Sequence, residues 1–284
     1  MKSISNIDGL SIKKTLNIKG NLIELSRPII MGILNLTPDS FFDGSQFNNK
    51  KRALLKKEEM INDGAKIIYV GGCSTRPGSD TIHLEEEWKR IGDITKEIRK
   101  NFPKVIISID TFRSEIVKRS YDIGADIVND VSGGEFDDKM FSVVSKLNLP
   151  YVLMHSRGNS QTMKNLTNYN DLLSDITFYF VKKINLLRSY KVKDIIIDPG
   201  FGFAKTFEQN MEIIDNLDYF SILDLPILVG LSRKSFVQKK FNTTLEKSLE
   251  GSLELNKLAL ENHASILRVH DVKETKLLID KFIL

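Results

Sequence analysis

Eight short runs of β-branched and other apolar residues recur along the chain, and amphipathic stretches separate them. Between the runs, apolar residues recur at three- and four-residue spacing, which is typical of helices. This alternation predicts βαβ units around a buried parallel sheet. The predicted strands are Ile29–Leu34, Lys66–Val70, Val105–Ile109, Asp126–Val128, Tyr151–Met154, Asp194–Ile197, Pro226–Val229 and Ser265–Val269. The predicted helices include Ala53–Asn62, Glu85–Lys100, Ser114–Tyr121, Leu172–Tyr190 and Leu245–Glu261.

Eight strands that alternate with helices over about 250 residues favour an α/β fold of the (β/α)8 TIM barrel type. The alternative is a doubly wound open sheet, which would need a Gly-rich fingerprint after its first strand. None follows Ile29–Leu34. A length of 284 residues suits one large barrel or two ordinary domains. Because no linker or low-complexity tract interrupts the pattern, we predict a single domain over residues 1–284.

The residues before Pro28 have a different pattern. Two short alternating segments, 16–18 and 22–24, flank Lys19-Gly20-Asn21, which is a turn signal. We therefore predict an N-terminal β-hairpin within residues 1–28 that closes the bottom of the barrel.

Composition narrows the class of protein. The chain has 41 Lys and Arg against 37 Asp and Glu, and the lysines are scattered, which does not indicate nucleic-acid binding. No apolar run approaches the length of about 18 residues that a membrane span needs, and the start of the chain lacks a signal-peptide core. The single cysteine, Cys73, excludes an internal disulfide and a Cys-based zinc cluster. These features predict a cytoplasmic protein with no nucleic-acid or membrane partner.

Polar and ionisable residues follow every predicted strand. In a barrel of this type the chemistry lies at the carboxyl ends of the strands, so these groups should converge at one mouth. After the first four strands come Asn35 to Ser40, the run GGCSTRPG at 71–78, Asp110-Thr111 and Asn129-Asp130. After the last four come His155, DPGFGF at 198–203, GLSRKS at 230–235, and Arg268 with His270-Asp271.

These residues form three sets with different chemistry. The first set predicts a site for a di-anion, because the guanidinium group of arginine pairs well with phosphate oxygens and an amide oxygen can hold Mg²⁺. Its members are Asn35, Thr75, Arg76, Arg268 and His270. Asp110, Asn129 and Asp198 can accept several N–H bonds from a flat, amino-substituted heterocycle. Lys234 and Ser235, next to a predicted helix start, can hold a carboxylate or a ring carbonyl.

Five segments together carry a resemblance that covers nearly the whole chain from residue 28 onward. They are MGILNLTPDSF at 31–41, GGCSTRPG at 71–78, DPGFGFAK at 198–205, SRKS at 232–235 and RVHD at 268–271. In this order, and at the spacing of barrel strands, they resemble the dihydropteroate synthases. The resemblance implies a folate-pathway transferase. In its reaction p-aminobenzoate displaces pyrophosphate from 6-hydroxymethyl-7,8-dihydropterin pyrophosphate.

The resemblance also implies roles for individual residues. It assigns catalysis to Asp110, Lys234 and Arg268. Pterin binding falls to Asp110, Asn129, Met154, Asp198, Phe203, Lys234 and Arg268. Pyrophosphate binding falls to Asn35, Thr75, Arg76, Arg268 and His270, with Asn35 also beside a Mg²⁺ cofactor. The p-aminobenzoate would lie against Thr75, Pro77, Phe203 and Ser235.

The chain departs from this family pattern at Cys73, where many relatives have Glu, and at Ala204, where many have Gly. A neutral thiol in a Gly-rich turn is more often a space-filler than a nucleophile, so Cys73 is not predicted to be catalytic. His155 is equally compatible with a core position and a site position.

Two other functions share the predicted barrel. One is a pterin- or methyltetrahydrofolate-binding methyltransferase domain, and the other is a non-catalytic pterin-binding module. The segments at 232–235 and 268–270 favour the synthase, because a methyltransferase has no pyrophosphate to hold. The resemblance further implies a homodimer and a target of sulfonamide drugs.

Overall fold

The structure, a computed structural model, describes residues 15–36, 46–74, 78–244 and 247–283, with the backbone alone for residues 46–51. Within these residues lie the following strands: β1 Thr15–Ile18, β2 Asn21–Glu24, β3 Ile29–Asn35, β4 Ile67–Gly71, β5 Ile106–Asp110, β6 Ile127–Asp130, β7 Tyr151–Met154, β8 Ile195–Asp198, β9 Leu228–Val229 and β10 Ile266–Val269. The helices are α1 Gln46–Asn62, α2 Leu84–Asn101, α3 Ser114–Asp122, α4 Met140–Leu147, α5 Leu172–Ser189, α6 Phe207–Asp215, α7 Ser235–Phe241, α8 Leu249–Glu261 and α9 Val272–Ile283. Short 3₁₀ helices cover Met163–Asn165 and Leu217–Leu223.

Strands β3 to β10 form one parallel sheet that closes on itself. Its order is β8-β7-β6-β5-β4-β3-β10-β9, and a parallel bridge between Ile197 and Ile227 joins the two ends. At this junction the Ile197 N–H donates to the Pro226 carbonyl at 3.0 Å. The eight-stranded barrel predicted from the alternating pattern is therefore confirmed.

The strands are buried on both faces, as their apolar runs require. Side chains that point outward from the barrel, such as Ile107, Val128 and Leu153, pack with the helices in one core. Side chains that point inward form a second core, which contains Ile67, Ile106, Ile127, Val152, Ile196, Leu228 and Ile266. Apolar residues thus fill the lower part of the barrel.

The antiparallel hairpin of β1 and β2 lies at the amino-terminal ends of the barrel strands, as predicted. Leu16 is fully buried and packs with the inward-facing core. The Asn17 N–H donates to Asp194 Oδ1 at 3.1 Å, and the Lys19 ammonium pairs with Asp126 Oδ1 at 2.9 Å. The hairpin is therefore the floor of the barrel, and the opposite end is the open mouth.

Most differences from the predicted elements are at their ends. Several strands run one or two residues further toward the mouth, so Asn35, Asp110, Asn129 and Asp198 are strand residues. Helix α8 begins at Leu249, after the predicted start at Leu245. The pattern does not name helices α4, α6 and α9, whereas the start of α7 at Ser235 agrees with the predicted helix start beside Lys234 and Ser235. Among the described residues, no helix is long and apolar enough to cross a membrane.

Candidate active site

The inward-facing residues change from apolar to polar at the last position of the strands. Because side chains alternate along a strand, each of these positions lies two residues beyond another inward-facing residue, such as Ile127 below Asn129 and Ile196 below Asp198. The register pairs Asn35 with Gly71, Gly71 with Asp110, and Asp110 with Asn129. Further round the barrel the same level holds Met154, paired with Asp198. This polar layer covers the apolar interior and faces the mouth.

Arg268 links the two sides of the polar layer. Its Nη1 donates to Asn129 Oδ1 at 2.9 Å, and its Nη2 lies 2.9 Å from Asp198 Oδ2. The guanidinium is buried, and an arginine in that position needs such partners because an unpaired buried charge is costly. The three residues come from β10, β6 and β8, so one ion pair and one hydrogen bond span the barrel.

Asp110 lies beside this pair. Asn129 Nδ2 donates to Asp110 Oδ1 at 3.3 Å, so the Asn129 amide connects the carboxylate to Arg268. Burial raises the pKa of Asp110 to about 7, while a hydrogen bond from Tyr69 and the charge of Arg268 act in the opposite direction. A carboxyl group that titrates near neutral pH in a pocket is typical of a functional site.

Lys234 follows β9 and closes a second side of the mouth. Its Nζ donates to the Phe201 carbonyl and lies 4.9 Å from the centre of the Phe203 ring. Burial lowers the pKa of Lys234 to about 7, and the nearby charge of Arg268 contributes to the decrease. Lys234 therefore changes between the charged and neutral forms in the same pH range as Asp110.

The turn that supplies Phe203 is held from below by Lys205. The Lys205 Nζ is buried and lies 3.1 Å from the Gly200 carbonyl, 3.0 Å from the Phe203 carbonyl and 3.0 Å from His155 Nδ1. Three acceptors match the three N–H bonds of an ammonium group. Burial lowers the pKa of Lys205 well below its ordinary value. Burial likewise lowers the pKa of His155, which keeps its ring neutral. His155 thus belongs to the support of the turn.

The segment 232–235 divides between two tasks. Arg233 points away from the polar layer and forms a two-pronged ion pair with Asp271, at 3.0 and 2.6 Å. The Ser232 hydroxyl lies 3.2 Å from His270 Nδ1. Ser235 is the first residue of α7 and is exposed. The Arg233–Asp271 ion pair and the Ser232–His270 contact therefore connect this segment to the residues that follow β10.

An apolar cavity of about 260 Å³ adjoins Phe203 above the polar layer. Its wall includes Phe112 and Phe136, whose rings meet edge to face with centroids 5.4 Å apart. Cys73 also lines it, and burial raises the pKa of this thiol, which keeps it neutral as predicted for a space-filler. A larger cavity of about 410 Å³ lies at the floor, against the hairpin turn, and contains none of the polar layer.

The structure brings together most of the predicted site. Around the mouth it places Asn35, Asp110, Asn129, Met154, Asp198, Phe203, Lys234, Ser235, Arg268 and His270. Thr75, Arg76 and Pro77 lie outside the described residues. Two residues in contact with the site were missed. The sequence places Tyr69 in an apolar strand, and Lys205 follows a Gly-rich turn in which nothing distinguishes it from a surface lysine.

A closed barrel whose mouth holds two buried carboxylates, an amide, an arginine and a lysine defines an enzyme for a small polar molecule. Residues 31–270 match the family described as pterin binding enzyme. A dihydropteroate synthase of Synechocystis sp. is 43% identical over 250 residues, which are 87% of this chain and 86% of the relative. The chain belongs to the pterin-binding enzyme family, and within it to the dihydropteroate synthases, which are transferases.

Solved structures agree with this assignment. The Clostridium difficile dihydropteroate synthase in the presence of pteroic acid is 37% identical, with a TM-score of 0.85 over 90% of this chain and 96% of that chain. The Yersinia pestis dihydropteroate synthase in a sulfonamide drug complex is 35% identical, with a TM-score of 0.89 over 95% of this chain and 98% of that chain. The likeness extends over the barrel as a whole.

Proposed function

We propose that the chain condenses 6-hydroxymethyl-7,8-dihydropterin pyrophosphate with p-aminobenzoate, which gives 7,8-dihydropteroate and pyrophosphate. The observation that carries this proposal is the connected group of Asp110, Asn129, Arg268 and Asp198 at the barrel mouth. The membership of the dihydropteroate synthases supports the choice of reaction.

The pterin would lie on the polar layer. Its amino and ring N–H groups need acceptors, and the carboxylates of Asp110 and Asp198 offer oxygens on two sides of Asn129. One Asp198 oxygen already accepts from the Gly200 N–H at 2.8 Å, which fixes the carboxylate orientation. Met154 is fully buried and supplies an apolar contact, while Lys234 donates to ring acceptors. Arg268 would stack on the flat ring.

The pyrophosphate would lie on the side of the mouth where β3 and β10 end. Arg268 and the partly buried His270 come from this side, and the resemblance adds Thr75 and Arg76. Guanidinium and imidazole N–H groups form charge-assisted hydrogen bonds to phosphate oxygens. These bonds strengthen as the leaving group gains negative charge, so they favour the transition state over the bound substrate.

Asn35 is the residue proposed to hold Mg²⁺. It ends β3 in the polar layer and is partly exposed, and amide oxygens are ordinary ligands of this cation. In the part of the chain that the structure describes, there is no cluster of three or more His, Cys, Asp or Glu placed to hold a metal ion. The Asn35 amide oxygen would therefore be the protein group that holds the ion. When bound, Mg²⁺ would neutralise charge on the leaving group.

The p-aminobenzoate would lie against Phe203, with Thr75 and Pro77 assigned by the resemblance and its carboxylate at Ser235. The amine nitrogen attacks the methylene carbon of the pterin, the bond from that carbon to the pyrophosphate oxygen breaks, and the amine loses a proton. Conjugation with the electron-rich pterin favours a cation-like transition state. The ionised Asp110 carboxylate stabilises that positive charge, which is electrostatic catalysis by a prearranged group.

The proposal includes a cytoplasmic homodimer. The lone buried thiol of Cys73 suits a reducing compartment. On the neighbouring α5 and 3₁₀ helix 217–223, Phe178 is 72% and Ile222 is 67% exposed, and these apolar side chains are available to a second copy of the chain. Light scattering on the purified protein would measure its mass in solution.

The test of the reaction is pyrophosphate release with the two substrates added separately and together. We expect release only when both are present, with stoichiometric formation of dihydropteroate. Arg268→Gln should abolish it, whereas Arg188→Gln on the exposed face of α5 should retain it. Tight binding of methyltetrahydrofolate without any pyrophosphate release would instead identify the methyltransferase function.

A further inference from the structure

Tyr69 is a buried residue of β4 that the proposed mechanism does not use. It faces the barrel interior and is 7% exposed. The register pairs Tyr69 with Ser108, so its side chain lies one level below Asp110. A side chain on Gly71 would lie 3.3 Å from Asp110 Oδ2 and 3.4 Å from Tyr69 Cε1. The glycine therefore leaves the phenol and the carboxyl group next to each other.

Tyr69 contacts two members of the polar layer at once. Its side chain lies beside the Asp110 carboxyl group across Gly71, and hydrogen bonding by Tyr69 lowers the pKa of Asp110. The Cζ of Arg268 lies 5.4 Å from the centre of the Tyr69 ring, within the range of a cation–π interaction. The Tyr69 side chain therefore lies next to both Asp110 and Arg268, which are the two ends of the Asp110–Asn129–Arg268 connection.

We propose that Tyr69 is a positioning residue of this enzyme, with its hydroxyl holding the Asp110 carboxylate and its ring supporting Arg268 from below. The proposal rests on the proposed function only for its effect on turnover. Donation by a phenol favours the ionised carboxylate, and the ionised form is the one that stabilises a cation-like transition state. Tyr69 thereby maintains the active form of Asp110 near neutral pH.

Other charged groups around Asp110 come from three further elements. Arg268 of β10 favours the ionised form, whereas Asp130 of β6 and Glu87 of α2 oppose it. Asn129 of β6 donates a hydrogen bond to Asp110. Asn35 is two strands away, with Gly71 between. Among all the groups that act on Asp110, Tyr69 is the one that can lose its donor with the smallest change in shape, because phenylalanine retains the ring.

A second buried tyrosine provides the matched control. The Tyr151 hydroxyl donates to Asp130 Oδ2 at 2.7 Å, and both residues are fully buried. Tyr151 belongs to the core outside the barrel interior, and the Asp130 carboxylate accepts from Ser132 and Gly134 instead of facing the mouth. Tyr151→Phe therefore removes the same chemical group from the same kind of pair outside the site.

The first experiment measures kcat/KM for pterin pyrophosphate from pH 5.5 to 9 in the parent, Tyr69→Phe and Tyr151→Phe. The plot of kcat/KM against pH should fall on its acid side as Asp110 is protonated, and we call this side the acid limb. We expect Tyr69→Phe to move the acid limb to higher pH by about one unit, as the loss of one hydrogen bond to a buried carboxylate predicts. With Asp110 titrating near pH 7, the variant should be roughly fivefold slower at pH 7 and close to the parent at pH 9. Tyr151→Phe should not move this limb to higher pH, because loss of the donor to Asp130 can only weaken the opposing charge of Asp130 on Asp110.

A second variant changes the donor without removing it. Tyr69→3-fluorotyrosine has a more acidic phenol and is a stronger donor, so the acid limb should move to lower pH. The opposite shifts of the two variants separate a hydrogen bond from a loss of packing. If Tyr69→Phe is too unstable to assay, the shift of this variant alone decides the matter.

A third measurement does not depend on turnover. Carbon-13 NMR of labelled aspartate, assigned with Asp110→Asn, follows the Asp110 carboxyl directly, and its midpoint should rise in Tyr69→Phe. An unmoved midpoint and acid limb in both Tyr69 variants, or an equal shift in Tyr151→Phe, would overturn the proposal. Absence of synthase activity in the parent with an upward shift of the NMR midpoint would overturn the proposed function and leave the Tyr69–Asp110 pair intact.

Discussion

A Cβ on Gly230 would lie 2.6 Å from Nη2 of Arg268, closer than side-chain atoms approach one another. The absence of a side chain at Gly230 is therefore what makes room for the guanidinium between Asn129 and Asp198. Gly230→Ala should displace Arg268 and raise the KM for pterin pyrophosphate more than tenfold, since charge-assisted hydrogen bonds are worth about 1.5–3 kcal/mol each. Steady-state kinetics measure this, with thermal unfolding to confirm the fold. An unchanged KM would show that Arg268 tolerates the shift.

Asp110→Asn keeps the shape of the side chain and removes its charge. We expect kcat to fall by at least 100-fold while the Kd for 6-hydroxymethylpterin changes less than tenfold, because the charge acts mainly on the transition state. Calorimetry and steady-state kinetics give the two numbers. Equal losses would assign Asp110 to ground-state binding.

The raised pKa of Asp110 also predicts a pH dependence of stability. The folded pKa of about 7 exceeds the ordinary value of 3.8, so the folded state binds the proton more tightly than the unfolded state does. Between pH 4 and 7 this group therefore makes the parent less stable as the pH rises, and Asp110→Asn removes that effect. The melting temperature of the variant minus that of the parent should therefore be larger at pH 8 than at pH 5. A difference that is the same at both pH values would contradict this.

Lys205→Met should loosen the turn that carries Phe203, because two carbonyls and His155 lose their common donor. The expected result is an increase in KM of about tenfold for both substrates, since the turn also supplies the Phe201 carbonyl that holds Lys234. Lys239→Met, which changes an exposed lysine paired with Glu208, is the control. An effect on one substrate alone would restrict Lys205 to that half of the site.

The proposed Mg²⁺ position predicts the effect of Asn35→Ala. Loss of the amide oxygen should raise the Mg²⁺ concentration for half-maximal turnover several-fold, and saturating Mg²⁺ should restore part of the rate. Titration of the metal in both proteins tests this. The same half-maximal concentration in the two would remove Asn35 from the metal site.

Ser235→Ala tests the p-aminobenzoate carboxylate. The KM for p-aminobenzoate should rise about fivefold, as expected for one hydrogen bond of about 1 kcal/mol, while the KM for pterin pyrophosphate stays constant. Ser142→Ala on the exposed side of α4 provides a comparison. A change in the pterin pyrophosphate KM instead would place Ser235 elsewhere.

The barrel strands and the polar residues at its mouth could be predicted from the sequence, because both depend on local patterns. Buried parallel strands need continuous apolar runs, and the polar residue that ends each run marks the mouth, as at Asp110 and Asp198. Tyr69 could not be predicted as a site residue, since an aromatic side chain in an apolar strand normally belongs to the core. Its contact with Arg268 depends on packing between β4 and β10, which are distant in the sequence.

Phe203 is predicted as a substrate contact, but the support of its turn by Lys205 is not. Lys205 donates hydrogen bonds to the Gly200 and Phe203 carbonyls, and these carbonyls come together only in the folded turn. Arg233 belongs to a predicted motif, but its side chain pairs with Asp271, and its backbone has a positive φ of 60°. In both cases the residue type was visible and the direction of the side chain was not.

The hairpin at the floor gives the chain an unusual order of assembly. The bond between Asn17 and Asp194 joins residues 177 positions apart, so it can form only after Asp194 has been synthesised. Until then the hairpin carries Leu16 exposed to water on a two-stranded ribbon, which has little stability of its own. Contacts of this range slow folding, because a long loop must close before they form. The hairpin, which precedes the barrel strands in the chain, is thus among the last parts of the barrel to reach its native position.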